Sequence, residues 1–420
     1  MPMPDRRAFL ASLFDAAVRA ADPVESMRPH LPARPRGRTV VIGAGKGAAQ
    51  LAQALEALWD GPLSGVVVTR YGFGCATEAI DVIEASHPVP DGAGLLAAQR
   101  LFDAIAGLDE DDLVIALICG GGSALLPAPP PGMTLEDEIA INRVLLASGA
   151  PIAAMNVVRK HLSTIKGGRL AAATRAPVVS LIVSDIPGDN PAHVASGPTV
   201  PDPSTRHDAL DVVRRYGLAL PQAAIDHLHS DKADAPRPED PVFGRHSHRV
   251  IASSGVSLEA AATAATEQGI PAVILSGAIE GEARDVGLVH AAIAREIATR
   301  NRPFSRPVVI LSGGETTVTL RGAGGKGGRN GEFALAMVQA IDGYDIEVLA
   351  ADTDGTDGTE NNAGAFCDGM TMQRLRDRNI DAQQLLSENN SHAAFDAIDD
   401  LFVTGPTGTN VNDFRAILIR

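Results

Sequence analysis

Eight short segments rich in glycine and small polar residues hold most of the side chains in this sequence that could do chemistry. They are GAGKG (43–47), GGGS (120–123), KGGR (166–169), SDIPGD (184–189), SGGET (312–316), GKGGRNGE (325–332), DTDGTDG (352–358) and TGPTGTN (404–410). Each follows or interrupts an apolar, β-like run. A strand end followed by small residues presents bare backbone N–H groups, and a following helix adds the positive end of its dipole, so such loops suit phosphate. Lysine, arginine and aspartate are interspersed among them, which together suggests a site that handles a polyphosphate and a metal.

GAGKGA satisfies the dinucleotide pattern G-x-G-x-x-A through Gly43, Gly45 and Ala48, in a strand-to-helix context. No acid ends the next strand to hold a ribose, although Arg70 could take a 2′-phosphate. As a Walker A loop it fails, because Lys46 is followed by glycine. Two readings remain beside the dinucleotide one: a lysine, Lys46, held at a helix start to neutralise an anion, and an ordinary turn.

Gly120, Gly121, Gly122 and Ser123 follow the apolar run DLVIALIC and could wrap an anion or simply allow tight packing. In MNVVRKHLSTIKGGRL, helical spacing puts Met155, Val158, Leu162 and Ile165 on one face and Arg159, Ser163 and Lys166 on another. The cations Arg159, Lys160, His161, Lys166 and Arg169 concentrate there; a solvated helix face is the plain alternative. SDIPGD sets Asp185 and Asp189 around a Pro-Gly turn, where hard oxygens suit Mg²⁺ or a substrate hydroxyl proton, with Ser196 and Gly197 in the SGPT loop close behind. His87 and His193 fit a structural role better.

In the second half, Arg329 lies between glycines just before a helix, where its planar fork can grip phosphate or carboxylate. Glu315, Lys326, Asn330 and Glu332 accompany it. Asp352, Asp354 and Asp357 do not fit a calcium loop, so magnesium binding or a turn remains. Thr407, Thr409, Asn410 and Asp413 offer donors and acceptors for a sugar acid or a phosphate.

These loops must be positioned by the elements around them. With 420 residues the chain predicts two or three domains. Strand-like TVVIGA, SGVVVTR, DLVIALICG and APVVSLIVSD alternate with helical periodicities, as in parallel α/β sheets of the Rossmann-like kind. The pattern lapses between about 220 and 248, which predicts domains at 1–235 and 245–420. HRVIAS, PAVILSG, PVVILSGG, TVTLRG and IEVLAADTDG follow as strands, then a closing hairpin-like pair, DLFVTG and FRAILIR. The two halves look alike in architecture, and a cleft between two α/β domains suits phosphoryl transfer.

The formal charge of −15 disfavours nucleic acid as a partner. Apolar residues are 45% of the chain, yet no run approaches the roughly 20 that span a bilayer, so no membrane partner is expected. The N-terminal stripe Phe9, Leu13, Phe14, Ala17 and Val18 reads as an amphipathic helix packed on a core rather than a secretory signal. Cys75, Cys119 and Cys367 lie far apart with no zinc or disulfide spacing, and a cytoplasmic location fits.

From about residue 8 to the C-terminus, GAGKGA, SHPVPD, CGGGSALLPAP, MNVVRKHLSTIKGGRLA, SDIPGD with ASGPT, SGGETTVTL, GKGGRNGEFALA, ADTDGTDG and TGPTGTNVND, in this order, resemble the glycerate 2-kinase family with a MOFRL domain. The resemblance implies an α/β fold in two domains, a larger Rossmann-like one and a smaller C-terminal one, enclosing a cleft where ATP phosphorylates D-glycerate at the 2-hydroxyl. It implies catalytic roles for Lys46, Arg329 and Asp189. ATP is expected on Gly43, Gly45, Gly120, Gly121, Gly122, Ser123, Ser196 and Gly197, and substrate on Lys166, Asn330, Thr407 and Asn410. Mg²⁺ is expected on Asp185 and Asp354. Glycerate and nucleotide are then the partners, and homo-oligomerisation is left open. Many family members carry the name hydroxypyruvate reductase, so an NADP-dependent reductase of hydroxypyruvate or tartronate semialdehyde is the alternative.

Overall fold

The protein, seen in a computed structural model, is described over residues 5–320 and 325–420. The chain divides into two compact units, one from Pro23 to Ile251 and one formed by the N-terminal segment through Asp22 together with Ala252–Arg420.

The first unit is built on a six-stranded sheet ordered β3-β2-β1-β4-β5-β6. Its strands are β1 (Thr39–Ala44), β2 (Ser64–Arg70), β3 (Ile80–Ala85), β4 (Leu113–Cys119), β5 (Val178–Val183) and β6 (Ser247–Ala252). The pairings β1 with β2, β1 with β4, β2 with β3 and β4 with β5 are all parallel. β1 and β4 are buried along their whole length. That explains their unbroken apolar runs, because a central parallel strand is covered on both faces. Successive strands run outward in opposite directions from β1 and β4, and in open α/β sheets the crevice at that reversal is where ligands sit.

The second unit carries a mixed sheet ordered β11-β10-β9-β12-β8-β7. Its strands are β7 (Ala272–Glu282), β8 (Val308–Thr317), β9 (Ile346–Asp352), β10 (Gly364–Asp368), β11 (Leu401–Phe402) and β12 (Asp413–Ile419). Only β7 and β8 pair in parallel; β8 with β12, β12 with β9, β9 with β10 and β10 with β11 are antiparallel. The likeness of the two halves therefore stops at their both being α/β.

Helix Arg6–Ala20 buries Phe9, Leu10, Leu13, Phe14 and Ala17 against the second sheet, with Phe14 edge-on to Phe402 and Phe414. The core role expected of this stripe holds, but it serves the second unit, whereas the sequence had put it in a first domain of residues 1–235. HRVIAS, expected to open the second domain, supplies β6 of the first sheet. DLFVTG and FRAILIR are not a hairpin: β10 and β9 lie between β11 and β12. Of the expected strand TVTLRG only Thr317 is in a strand, and Arg321 and Gly322 lie outside the described residues. None of the helices formed by the described residues is long and apolar enough to cross a membrane.

Candidate functional site

In the first unit the carboxyl ends of β1, β3, β4 and β5 converge on one turn. β1 enters GAGKG and β4 enters GGGS, and the two loops are tied by Lys46 N–H donating to Gly120 O at 2.8 Å. Glycine is required here by crowding. A Cβ on Gly43 would stand 2.6 Å from Leu117 O, and one on Gly45 would stand 2.3 Å from Cys119 Sγ. The Gly45 amide donates to Val68 O and the Gly47 amide to Cys119 Sγ, so this loop uses its N–H groups within the sheet. Gly43 and Gly45, assigned to a cofactor from the sequence, are thus explained by close packing of β1 on β4. Burial pushes the Cys119 thiol up to about 12, so it is an inert acceptor.

The chemistry sits on the glycine turn itself. Gly121 is left-handed (φ 79°), and a Cβ there would stand 2.9 Å from Lys46 Cγ and 3.1 Å from His87 Nε2. The lysine stem therefore runs across Gly121 beside the imidazole. At Gly120 a Cβ would collide with the Asp185 carboxylate, 1.8 Å from Oδ2, so the acid at the end of β5 lies directly on the turn. Gly122 is packed against Ala195, 2.7 Å from where its own Cβ would be. Ala195, Ser196 and Gly197 are all left-handed (φ 52°, 60° and 61°). Two non-glycine residues in succession hold this conformation at a cost of about 1–3 kcal/mol each, strain of the kind that concentrates at ligand sites. Ser123 Oγ and Ser196 Oγ lie 2.9 Å apart, and Ser196 Oγ donates to Asn156 Oδ1 at 3.0 Å. Lys46, His87, Asp185, Ser123 and Ser196 are thereby brought together.

His87 is a member of this group that the sequence set aside as structural. Burial, reinforced by the charges of Lys46 and then Arg70, lowers its pKa and favours the neutral ring. Its signal was present in SHPVPD at the end of β3, a strand the apolar pattern did not reveal. Asp189, four residues beyond Asp185, is half-buried in a left-handed turn at φ 51°. Arg70 is not poised for a 2′-phosphate, since its guanidinium carbon stacks 3.4 Å from the centre of the Phe73 ring.

The basic cluster behaves differently from its expected helical face. The helix ends at His161, so Ser163 and Lys166 leave the face that Arg159 occupies. Lys166, expected to bind substrate, is buried with Nζ donating to Glu138 Oε1 at 2.8 Å and Leu126 O at 3.0 Å. Lys160 is buried against Asp202, and Arg169 donates to the carbonyls of Lys160, Lys166 and Ala233. These three cations hold loops together.

In the second unit Arg329, the first residue of helix Arg329–Val338, is gripped by carboxylates. Nε donates to Asp413 Oδ1 at 2.5 Å, Nη2 to Asp352 Oδ2 at 2.6 Å and Nη1 to Glu315 Oε1 at 3.3 Å. Those anions raise its pKa against the opposing effect of burial, which is the largest single influence. Asp352 is pushed up by its burial, which outweighs the attraction of Arg329. Asp357 accepts the Asn330 and Gly331 amides at the start of the helix, and burial raises it to about 6. Arg415, fully buried and missed by the sequence reading, grips the second oxygen of Asp413.

A cavity of about 600 Å³ opens beside this network, lined among others by Glu315, Arg329, Glu332, Asp352, Asp354 and Asn410. Asn410 Nδ2 lies 3.4 Å from Asp354 Oδ2. Asn330 and Thr407, expected to meet substrate, are turned into the fold. Asn330 is fully buried with Nδ2 donating to Asp413 Oδ1 at 3.0 Å, and Thr407 Oγ donates to Thr353 O at 2.5 Å. The loop sequences gave no hint of this, since an amide or hydroxyl in a glycine-rich loop reads the same whether it faces solvent or backbone.

Comparison with known proteins agrees with this architecture. The family described as a domain of unknown function, DUF4147, matches residues 9–229, and the MOFRL family matches residues 308–413. A protein of Agrobacterium vitis with a provisional hydroxypyruvate reductase name is 51% identical over 98% of this chain and 94% of its own length. The glycerate 2-kinase of Pyrococcus horikoshii is 42% identical over 91% of this chain and 88% of its own, and the D-glycerate 2-kinase of Thermotoga maritima 37% identical over 96% of each. The crystal structure of a Thermotoga maritima glycerate kinase superposes with a TM-score of 0.90 at 34% identity, covering 99% of both chains. A fold shared with that enzyme over nearly the whole chain, and a sequence more than a third identical to two glycerate 2-kinases, mean that this chain belongs to the glycerate kinase family whose members carry DUF4147 and MOFRL domains.

Proposed function

We propose that the chain is an ATP-dependent glycerate 2-kinase that converts D-glycerate to 2-phosphoglycerate. The observation that carries this reading is the Lys46 stem crossing Gly121 on the same turn that receives the Asp185 carboxylate at Gly120. A cation and an acid flanking a glycine turn at the sheet's reversal point suit phosphoryl transfer, which consists mostly of positioning and charge neutralisation. In this reading Lys46 neutralises the migrating phosphoryl group, and the Gly120–Ser123 turn with Ser196 and Gly197 holds the nucleotide phosphates. Asp189 orients the glycerate hydroxyl and takes its proton. In the second unit Arg329 offers a cation to an anion through Nη1, whose contact with half-exposed Glu315 is the longest of its three and the easiest to exchange.

Magnesium fits the donor chemistry. Among the described residues no group of three or more His, Cys, Asp or Glu is gathered to cage a metal. Asp354 lines the cavity of the second unit as a separate candidate. Mg²⁺ is ordinarily held by one or two carboxylates plus substrate phosphates, a demand that Asp185 would meet. Bound there, it would neutralise charge on the nucleotide phosphates.

The NADP-dependent reductase is weaker, because the amides of Gly45 and Lys46 are used within the sheet and Arg70 is stacked on Phe73. An ATP-coupled assay with D-glycerate, run beside NADPH oxidation with hydroxypyruvate, separates the two. ADP formation without NADPH turnover is expected; the converse would end the kinase reading. Phosphorus NMR of the product reads which hydroxyl is esterified.

A further inference from the structure

Arg159 is half-buried, yet among the described residues no acid forms an ion pair with it. Nε donates to Asn142 Oδ1 at 2.9 Å and Nη1 to Asn156 Oδ1 at 3.3 Å, both neutral amides. Glu138, the acid among the described residues whose charge is felt there, is already engaged by Lys166 and by the Ala128 amide. Burial accordingly lowers the pKa of the guanidinium. A partly desolvated cation without a counterion is costly to maintain, and an anionic ligand reduces the cost. The two amide contacts lie on different sides of the guanidinium and fix its plane. Among the described residues Nη2 makes no hydrogen bond, so its N–H groups are left to grip an anion.

Its position is also specific. Asn156 Oδ1 receives Ser196 Oγ at 3.0 Å, and Ser196 Oγ lies 2.9 Å from Ser123 Oγ on the glycine turn. Arg159 is thus connected by three hydrogen bonds in series to the glycine turn that the Lys46 stem crosses.

We propose that Arg159 is the anchor for the carboxylate of the acceptor substrate, with Lys46 left to the phosphoryl group. This rests on the kinase reading above for the identity of the acid. Replacing a charge-assisted contact removes about 1.5–3 kcal/mol, so Arg159→Ala raises KM for D-glycerate about 10- to 100-fold with KM for ATP unchanged. Arg159→Lys recovers part of the loss, since it restores charge without the fork. Preference for glycerate over glyceramide, its uncharged amide, falls by a similar factor. A rise in KM for ATP instead, or an unchanged glycerate-to-amide preference, overturns the proposal.

Asn142→Asp supplies a second arm that does not depend on tolerance of Arg159 loss. It gives the guanidinium an internal counterion, so KM for glycerate rises while the melting temperature holds; an unchanged KM counts against the anchor. If the wild-type protein does not turn over glycerate with ATP, the kinase reading fails by itself. Calorimetric titration of glycerate then decides this inference: binding to the wild type and not to Arg159→Ala upholds it, and equal binding, or none to either, overturns it.

Discussion

Arg329 and Arg415 approach the Asp413 carboxylate from two sides, Arg329 Nε at 2.5 Å on one oxygen and Arg415 Nη2 on the other. Asp413 begins β12, and one residue of alternation brings Arg415 to the same face of the strand. Thr316 donates to Asp413 through both its amide and its hydroxyl at 3.1 Å. One acid therefore neutralises a cavity-lining arginine and a fully buried one together. Asp413→Asn leaves Arg415 buried without an anion, and the expected loss is about 3–5 kcal/mol in urea unfolding. A loss below about 1 kcal/mol, the scale of exposed pairs, would show that the pairing has little weight.

Lys46 is half-buried and enters no ion pair among the described residues, so its removal should cost little stability. Lys46→Ala is expected to lower kcat for glycerate phosphorylation by up to about 10³-fold, by analogy with charge-stabilising arginines in phosphoryl transfer. Turnover within tenfold of wild type would remove Lys46 from the mechanism.

Lys166 is expected to affect folding rather than substrate affinity. Lys166→Met strands the buried Glu138 and costs about 3–5 kcal/mol, while KM for glycerate in the folded protein stays at the wild-type value. Adding Glu138→Leu restores part of the stability, though Ala128 then loses its acceptor. A large rise in KM with normal stability would return Lys166 to the substrate.

His290 donates from Nδ1 to Val286 O at 2.8 Å, and its Nε2 lies 3.0 Å from Ser312 Oγ. The carbonyl can only accept, so Nδ1 bears the proton and Nε2 accepts from the hydroxyl. Burial lowers its pKa from 6.5 to about 4. The unfolded chain thus binds the proton more readily, and stability is full above pH 6.5 and falls as pH drops towards 4, by about 3 kcal/mol. Urea midpoints between these limits should decline less steeply in His290→Gln; parallel slopes would exclude His290 as the source.

The sequence is most informative where burial is symmetrical. β1, β4 and β5 are predominantly apolar runs, and their loop ends carry Lys46, Gly120 and Asp185. β3 is harder to see because Asp81 and Glu84 interrupt a short, partly exposed strand, and His87 at its end is lost with it. The stripe of helix Arg6–Ala20 reveals that it packs on a core but not which core, since apolar periodicity carries no address. Lys166, Asn330 and Thr407 are misjudged for a related reason: a polar side chain in a loop gains the same hydrogen bonds from a carbonyl or carboxylate of the fold as from a ligand. The pairing of Asp413 with Arg329 joins residues 84 positions apart, and nothing in local spacing encodes it.

Helix Arg6–Ala20 leaves the ribosome ahead of the whole segment from Pro23 to Ile251, yet its apolar face is completed by Phe414 and Leu418. During synthesis the first unit has all its strands while that greasy helix still lacks its seat. Phe9, Leu13 and Phe14 are then the surface that a nascent-chain chaperone would meet, until translation reaches β12.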